Sequence, residues 1–472
     1  MNRIWDLGKF AGNTALQDEA RKTLTYAELE GEGRRLAGQF PERSLVFILC
    51  RNEIGSVVGY TACVNSGAAV PVMLSSHLEE GLLQNLLDTY SPEYLWVPEE
   101  MGDRFPGAEA VYEACGYALL KTGYGKRWPL FGELALLVTT SGSTGSPKLV
   151  RQSYMNLREN AGAIAEYLRL DETERPITTL PMNYVYGISI LNSHLLTGGT
   201  LLLTDKGLMQ KEFWAFFREA GATSFGGVPY TFEMLDKLRF TRMQLPTLRT
   251  VTQAGGKLDP ELHGKFAAWA AETGRSFVVM YGAAEATSRM GYLPPERAVE
   301  KKGSMGIPIP GGKFTLLDAG GNPITEPFVT GELVYEGKNV TLGYAEKGED
   351  LALGDERHGR LETGDMAQFD AEGFYYIVGR KKRFLKIYGN RVNLDEVDRM
   401  IREAFHTETA SAGRDDRLTV FVTEAEKAEA VREYLIGKTK LNPAAFRVRV
   451  IPEIPKNEAG KTLYSELEKY DG

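Results

Sequence analysis

The chain has 472 residues, 43% of them hydrophobic and 25% charged, with a net charge of -8. That profile belongs to a globular protein long enough for more than one domain. The acidic balance excludes a general nucleic-acid binder, which needs a surplus of Lys and Arg against phosphate. Cys50, Cys63 and Cys115 make no disulfide framework and show no metal-ligand spacing, so a reduced, cytoplasmic setting is expected. Met1 to Asn13 carries Asp6 and no long apolar core, unlike a signal peptide. Every apolar run is broken well before the roughly 18 residues of a membrane span. In chain order, Ser44–Cys50, Ala69–Met73 and Leu134–Thr140 read as buried strands, and Glu79–Tyr90 and Tyr154–Leu168 carry helical periodicity. Strands alternating with helices predict an α/β architecture built on parallel sheet. From about Gly311 the texture changes to short strands between Gly and Pro turns: Phe314–Leu317, Gly331–Tyr335 and Gly373–Val378. This predicts a small β-rich subdomain over about 311–380, closing a large N-terminal domain of residues 1–380. The basic run Arg380-Lys381-Lys382-Arg383 marks the boundary. Residues 381–472 then predict a small α+β domain with helices Asn393–Phe405 and Lys427–Ile436 and a strand Leu418–Val422.

The sharpest local feature is Thr139-Thr140-Ser141-Gly142-Ser143-Thr144-Gly145-Ser146-Pro147-Lys148. An apolar strand leads into it. Small residues allow a tight fold that points backbone N–H groups at an anion. The hydroxyls of Thr140, Ser141, Ser143 and Thr144 add donors, and Lys148 adds a mobile positive charge. Pro147 stands where a Gly precedes the Lys of a Walker loop, so a kinase or GTPase of that type is disfavoured. A flexible Ser/Gly connector is the plain alternative.

Seven other segments draw attention. They are Leu24-Thr25-Tyr26-Ala27-Glu28-Leu29, Leu180-Pro181-Met182-Asn183-Tyr184-Val185-Tyr186-Gly187 and Ala254-Gly255-Gly256-Lys257-Leu258. Next come Tyr281-Gly282-Ala283-Ala284-Glu285, Gly331-Glu332-Leu333 with Gly343-Tyr344, and Thr363-Gly364-Asp365 with Gly379-Arg380 following. The last is Pro455-Lys456-Asn457-Glu458-Ala459-Gly460-Lys461. Read as residues alone, they offer glycines for close backbone approach to a flat ring, an aromatic surface at Tyr281, and a hard oxygen ligand at Glu285. Asp365 is a two-oxygen acceptor, and Arg380 a planar donor fork. Each also has a bland reading: a core strand or turn around Tyr184 and Tyr186, a plain turn at Gly255, a turn aspartate at Asp365. The basic run reads equally as a solvated or nucleic-acid-binding patch, and Lys461 as a surface lysine on a Gly turn.

Together, in this order, these segments resemble the signatures of the adenylate-forming superfamily of acyl-CoA synthetases, nonribosomal-peptide adenylation domains and luciferases. The resemblance spans nearly the whole chain. It implies an ATP-dependent ligase that activates a carboxylic acid as acyl-AMP, releases pyrophosphate, and passes the acyl group to a phosphopantetheine thiol of CoA or an acyl or peptidyl carrier protein. It assigns nucleotide contacts to Thr140, Ser141, Gly142, Ser143, Thr144, Gly145, Lys148, Gly255, Gly256, Lys257, Tyr281, Gly282, Ala283, Asp365 and Arg380. Glu285 holds Mg2+ and Lys461 is the catalytic lysine. Tyr184 and Gly187 wall the acid pocket. Lys382 is an interdomain hinge, and Lys386 and Gly389 line the thiol tunnel. Three departures stand out. Ala284 replaces the usual Thr, removing a donor to the α-phosphate for which Thr287 is a candidate substitute. Val279 replaces an amide side chain. Tyr184 stands where many members carry His, and the absence of Asp there argues against an α-amino acid. The apolar residues Val185, Ile188 and Ala283 point to a small aliphatic, aromatic or hydroxy acid. A non-catalytic nucleotide-binding homologue, suggested by Ala284, is the competing reading; nothing points to a luciferase.

Overall fold

A computed structural model of the chain describes residues 4–139, 148–388, 390–439, 442–456, 462–468 and 470. The chain divides into two compact units, one of residues 1–313 with 336–361, the other of 314–335 with 362–472. The β-rich segment expected in the large domain therefore groups with the C-terminal stretch. The strands Gly331–Glu336 and Arg360–Phe369 explain the difference, because they carry the chain across from one unit to the other.

The first unit is built on an eight-stranded sheet. Its centre is parallel: Ser44–Cys50 lies between Ala69–Ser75 and Tyr94–Pro98, and Ala69–Ser75 pairs in turn with Leu134–Thr139. The run Ser-Leu-Val-Phe-Ile-Leu-Cys is wholly buried because each face meets its own core. Val46, Ile48 and Cys50 enter one apolar cluster with the helix Ile54–Ser66, while Leu45, Phe47 and Leu49 enter another with Glu80–Tyr90. Period-two alternation between two cores is why the strand shows no polar face. Leu149–Ser153 returns antiparallel along Leu134–Thr139, and Gly343–Ala345 adds antiparallel beyond it. A second sheet runs Ser224–Gly227, Thr250–Gln253 and Ser276–Tyr281 in parallel, then Gly291–Tyr292 and Ile307–Pro308 antiparallel. The segment Leu24–Leu29 opens a helix, Tyr26–Ala37, through a reciprocal cap between Thr25 and Glu28.

The second unit holds the four-stranded sheet of Lys313–Leu317, Gly331–Glu336, Arg360–Phe369 and Tyr375–Arg380. Its C-terminal part has a hairpin, Phe384–Ile387 with Asn390–Asn393, and a three-stranded sheet, Thr409–Arg414, Arg417–Val422 and Phe446–Val450. Helices Leu394–Phe405 and Ala428–Thr439 bury Val397, Ile401, Val431 and Leu435 against it. Among the described residues no helix is long and apolar enough to cross a membrane.

Candidate active site

In the first unit, three parallel strands of the second sheet end side by side. Their C-terminal ends lead into Val228-Pro229, Ala254-Gly255-Gly256 and Tyr281-Gly282-Ala283. The crevice beyond the carboxyl ends of parallel strands is where open α/β sheets bind ligands. Gly255 needs to be glycine twice over. Its φ is +84°, and a Cβ there comes within 2.7 Å of the Tyr184 hydroxyl. Gln253, fully buried, donates Nε2 to the Gly256 carbonyl at 2.9 Å and braces this turn, while Lys257 is exposed at its tip. Tyr184 is the N-cap of the helix Val185–Thr197, so the expected pocket wall is a helix start, neither strand nor simple turn. Gly187 lies in the first helical turn, where a Cβ meets the Pro181 carbonyl oxygen at 2.4 Å. The residues expected to form the acid pocket and the adenine loop are thus neighbours: Tyr184, Tyr186, Val228 and Ala254 share one cluster.

Beside them, Glu285 sits in the short turn Ala284–Ala286 and is partly exposed. Its backbone carbonyl accepts from Thr341 N at 3.0 Å and Thr341 Oγ1 at 2.9 Å. Tyr344 Oη donates to Glu285 Oε1 at 2.7 Å. Tyr344 gets its place from the strand Gly343–Ala345, whose pairing sets it opposite Val150. Burial, and next the Glu285 carboxylate, push the Tyr344 phenol up to about 12, so it stays a donor at any ordinary pH. Lys148 Nζ lies 3.6 Å from the Tyr344 ring centroid and 3.4 Å from Glu346 Oε1. The Ser/Gly segment begins and ends on paired strands, since Thr139 pairs with Leu149. The flanking strands are antiparallel, whereas a Walker motif leads from a strand to a helix. Thr140, Ser141, Gly142, Ser143, Thr144 and Gly145 lie outside the described residues. A Mg2+ ion bridging phosphates asks for hard oxygen ligands. The Glu285 carboxylate, oriented by Tyr344, fits that demand. Among the described residues no cluster of three or more His, Cys, Asp or Glu forms a metal cage.

Thr287 does not replace the hydroxyl lost at Ala284. It is 5% exposed, and its Oγ1 donates to the Asn339 carbonyl at 2.7 Å.

In the second unit, Asp365 and Arg380 stand opposite each other on antiparallel strands, with Arg380 Nε 3.3 Å from Asp365 Oδ1. Asp365 is therefore a strand residue, not a turn aspartate. In the basic run Arg380 and Lys381 are exposed though paired, and Arg383 is buried. Lys381 Nζ meets Glu332 at 2.7 Å, while buried Arg383 holds Asp395 at 2.6 Å and Asp398 at 2.7 Å. Lys382 lies in the turn Lys381–Arg383. Lys386 is exposed on the hairpin, its backbone N donating to Asp415 at 2.8 Å. Gly389 and Lys461 lie outside the described residues.

The family model described as AMP-binding enzyme matches residues 5–345, well over half of the chain. The chain belongs to the AMP-binding enzyme family. Among the curated relatives of this AMP-binding enzyme, the probable CoA ligase CCL9 of Humulus lupulus is 29% identical over 346 residues, which is 70% of this chain and 64% of that protein. The chain thus spans just under two thirds of that relative's length. The 2-succinylbenzoate–CoA ligase of Bacillus pumilus is 26% identical over 462 residues, 93% of this chain and 92% of that one. The solved O-succinylbenzoate coenzyme A synthetase of Bacillus subtilis in complex with AMP superposes with a TM-score of 0.78 at 22% identity, covering 98% and 97% of the two chains. That likeness establishes a shared fold: mixed α/β, with a large N-terminal part and a smaller C-terminal one.

Two residues of the first unit carry no role in the sequence. Tyr344 lies in one of the seven segments, but only the added edge strand shows that its hydroxyl reaches Glu285. Arg289 lies in none of them; its one signal is a charge in front of the apolar run Met290–Leu293.

Proposed function

We propose that this AMP-binding enzyme is an ATP-dependent acid–thiol ligase. The observation that carries the reading is the grouping of Glu285, fixed by Tyr344 and Thr341, with the strand ends that bear Tyr281–Ala283 and Gly255–Lys257. A carboxylate is a poor acyl donor. One of its oxygens attacks the α-phosphorus of ATP, the α–β bridging bond breaks, and pyrophosphate leaves. Mg2+, when bound, neutralises phosphate charge. Glu285 holds that ion, and Tyr344 keeps the carboxylate turned toward it. The hydroxyl-rich loop of Thr140–Gly145, with Lys148, donates to phosphate oxygens, and Lys461 offsets the charge that builds on the α-phosphate and carboxylate. Tyr281 stacks on adenine, Asp365 accepts from the ribose hydroxyls, and Arg380 donates beside it. A thiol then attacks the acyl carbon, loses its proton, and AMP departs with the bridging oxygen.

We assign the acceptor as CoA, in keeping with the CoA ligase names of the relatives; a carrier-protein thiol presents the same phosphopantetheine chemistry. The segment 381–472 is the mobile lid of this proposal, with Lys382 as its hinge, and Lys386 and Gly389 flank the thiol path. A non-catalytic homologue has no observation in its favour beyond Ala284. Exchange of labelled pyrophosphate into ATP across a panel of carboxylic acids tests the reading. It predicts exchange that depends on the acid and is lost in Lys461→Ala. ATP binding without exchange for any acid would overturn it.

A further inference from the structure

Three arginines of the first unit hold fixed places near the Glu285 turn, and two of them are spent on the scaffold. Arg151, fully buried, is ion-paired with Glu356 and donates to the Tyr344 carbonyl at 2.9 Å. Arg289, also buried, has a neutral partner on each nitrogen: Ser288 Oγ at 3.3 Å, Met280 Sδ, and Ser189 Oγ at 3.0 Å. Arg357 differs from both. It is partly exposed, and no ion pair holds it among the described residues. Its guanidinium lies 4.6 Å from the Tyr344 ring centroid, and Nη1 donates to the Glu285 carbonyl at 3.5 Å. A guanidinium carries five N–H donors, so most of this fork stays open to a ligand.

The turn that carries Arg357 fixes where the charge sits. Asp355 Oδ1 accepts from the backbone N–H groups of Arg357 and His358, both at 2.9 Å. Glu356 N donates to the Leu342 carbonyl at 2.9 Å, and the Glu356 carboxylate holds Arg151. Arg151 lies on Leu149–Ser153, the strand that follows Lys148. The turn is thus tied to the same framework as Tyr344 and Lys148. One aromatic ring then carries two cations, Lys148 Nζ at 3.6 Å and Arg357 at 4.6 Å from its centroid, while its hydroxyl holds Glu285. Lys148 has only Glu346 as a counter-charge, a carboxylate that is 67% exposed. Like charges gathered at one ring repel unless an anion joins them. The arrangement suits a polyanion lying against Lys148 and Arg357 beside the Glu285 carboxylate.

We infer that Arg357 donates to the β- and γ-phosphates of ATP, the part that leaves as pyrophosphate. The inference rests on the adenylation reading above and goes beyond it by adding a substrate-contacting residue that lies in none of the motif segments. In that reading Lys461 serves the α-phosphate and the carboxylate. Charge also grows on the departing pyrophosphate, and a fixed donor aimed there stabilises it. The planar fork matches two phosphate oxygens at once.

The test is calorimetric binding of Mg·ATP and of AMP to the full-length chain. In Arg357→Gln the Kd for Mg·ATP rises about tenfold, while that for AMP, which lacks the β- and γ-phosphates, stays within about twofold. Arg357→Lys keeps the charge without the fork and recovers part of the loss. Arg360→Ala, a control on an exposed arginine paired with Glu336 at 3.2 Å, changes neither constant. An unchanged ratio of the two constants in folded Arg357→Gln overturns the inference. Equal weakening of both also overturns it, because that marks a residue that only braces the turn. The wild type decides the matter even if the variant does not fold. Phenylglyoxal modification of Arg357, mapped by peptide mass spectrometry, is slowed by Mg·pyrophosphate and not by AMP; equal protection by both, or by neither, overturns the inference. All of these readouts are of binding, so a lack of pyrophosphate exchange with every acid would count against the adenylation reading alone.

Discussion

Replacing Tyr344 by Phe removes one oxygen and leaves the ring. The lost contact is the 2.7 Å donation to Glu285 Oε1. Hydrogen bonds to charged groups contribute about 1.5–3 kcal/mol. Tyr344 is half-buried, so the lower end of that range applies, which is about tenfold in an equilibrium constant. Loss of a group that orients a metal ligand costs about 10- to 100-fold in metal affinity, a range that overlaps this estimate. The 3.6 Å stack of Lys148 on the ring survives in Phe, so the effect falls on Glu285 and not on the loop's end. Titrating Mg2+ in the pyrophosphate-exchange assay at fixed ATP measures it. Tyr344→Phe raises the half-saturating Mg2+ concentration about tenfold. In a double-mutant cycle on Mg·ATP dissociation constants, Tyr344→Phe and Glu285→Gln couple by about 1 kcal/mol or more. Wild-type Mg2+ dependence in Tyr344→Phe, or strictly additive effects, would refute the orienting role.

Two further substitutions follow from packing and burial. In Gly282→Ala the new Cβ lands 1.7 Å from the Ser288 carbonyl oxygen, a clash with backbone that no rotamer relieves. Its stability falls by about 1–3 kcal/mol or more and exchange drops sharply, whereas Gly125→Ala, with nothing within 4 Å of the new Cβ, leaves both unchanged; equal thermal midpoints for the two variants would contradict this. His194 is buried, with Nδ1 2.7 Å from the Ile190 carbonyl, and burial lowers it to about 4. Its folded pKa lies below the unfolded 6.5, so the unfolded chain binds the proton first. The stability this contributes is present above about pH 6.5 and is lost as pH falls to about 4, a change of about 3 kcal/mol. His194→Gln flattens melting temperature against pH over that window, and an unaltered slope would count against the assignment.

The parts of the fold that could be read in advance are those whose pattern is local. Ser44–Cys50 is apolar throughout because both of its faces are covered, and Tyr154–Leu168 keeps one helical period with a Ser153 cap. Asp365 and Arg380 stand fifteen positions apart in sequence yet directly opposite in space, a juxtaposition that sequence spacing does not show. Tyr344 and Arg289 were illegible because their meaning depends on strand addition and on what fails to surround them. An edge strand paired across nearly two hundred positions brings Tyr344 beside Val150, and the neutral partners of Arg289 among the described residues have no sequence signature. The division into units has no local pattern either: the strands of 331–336 and 360–369 carry the chain from one unit to the other.

In the proposed reaction the acid's own oxygen becomes bonded to the α-phosphorus. Turnover of an ¹⁸O-labelled carboxylic acid with ATP, Mg2+ and CoA, followed by mass spectrometry of the nucleotide product, tests it directly. Adenylation yields AMP carrying one ¹⁸O atom per turnover, with unlabelled pyrophosphate. Unlabelled AMP, or ADP with the label in orthophosphate, would contradict it.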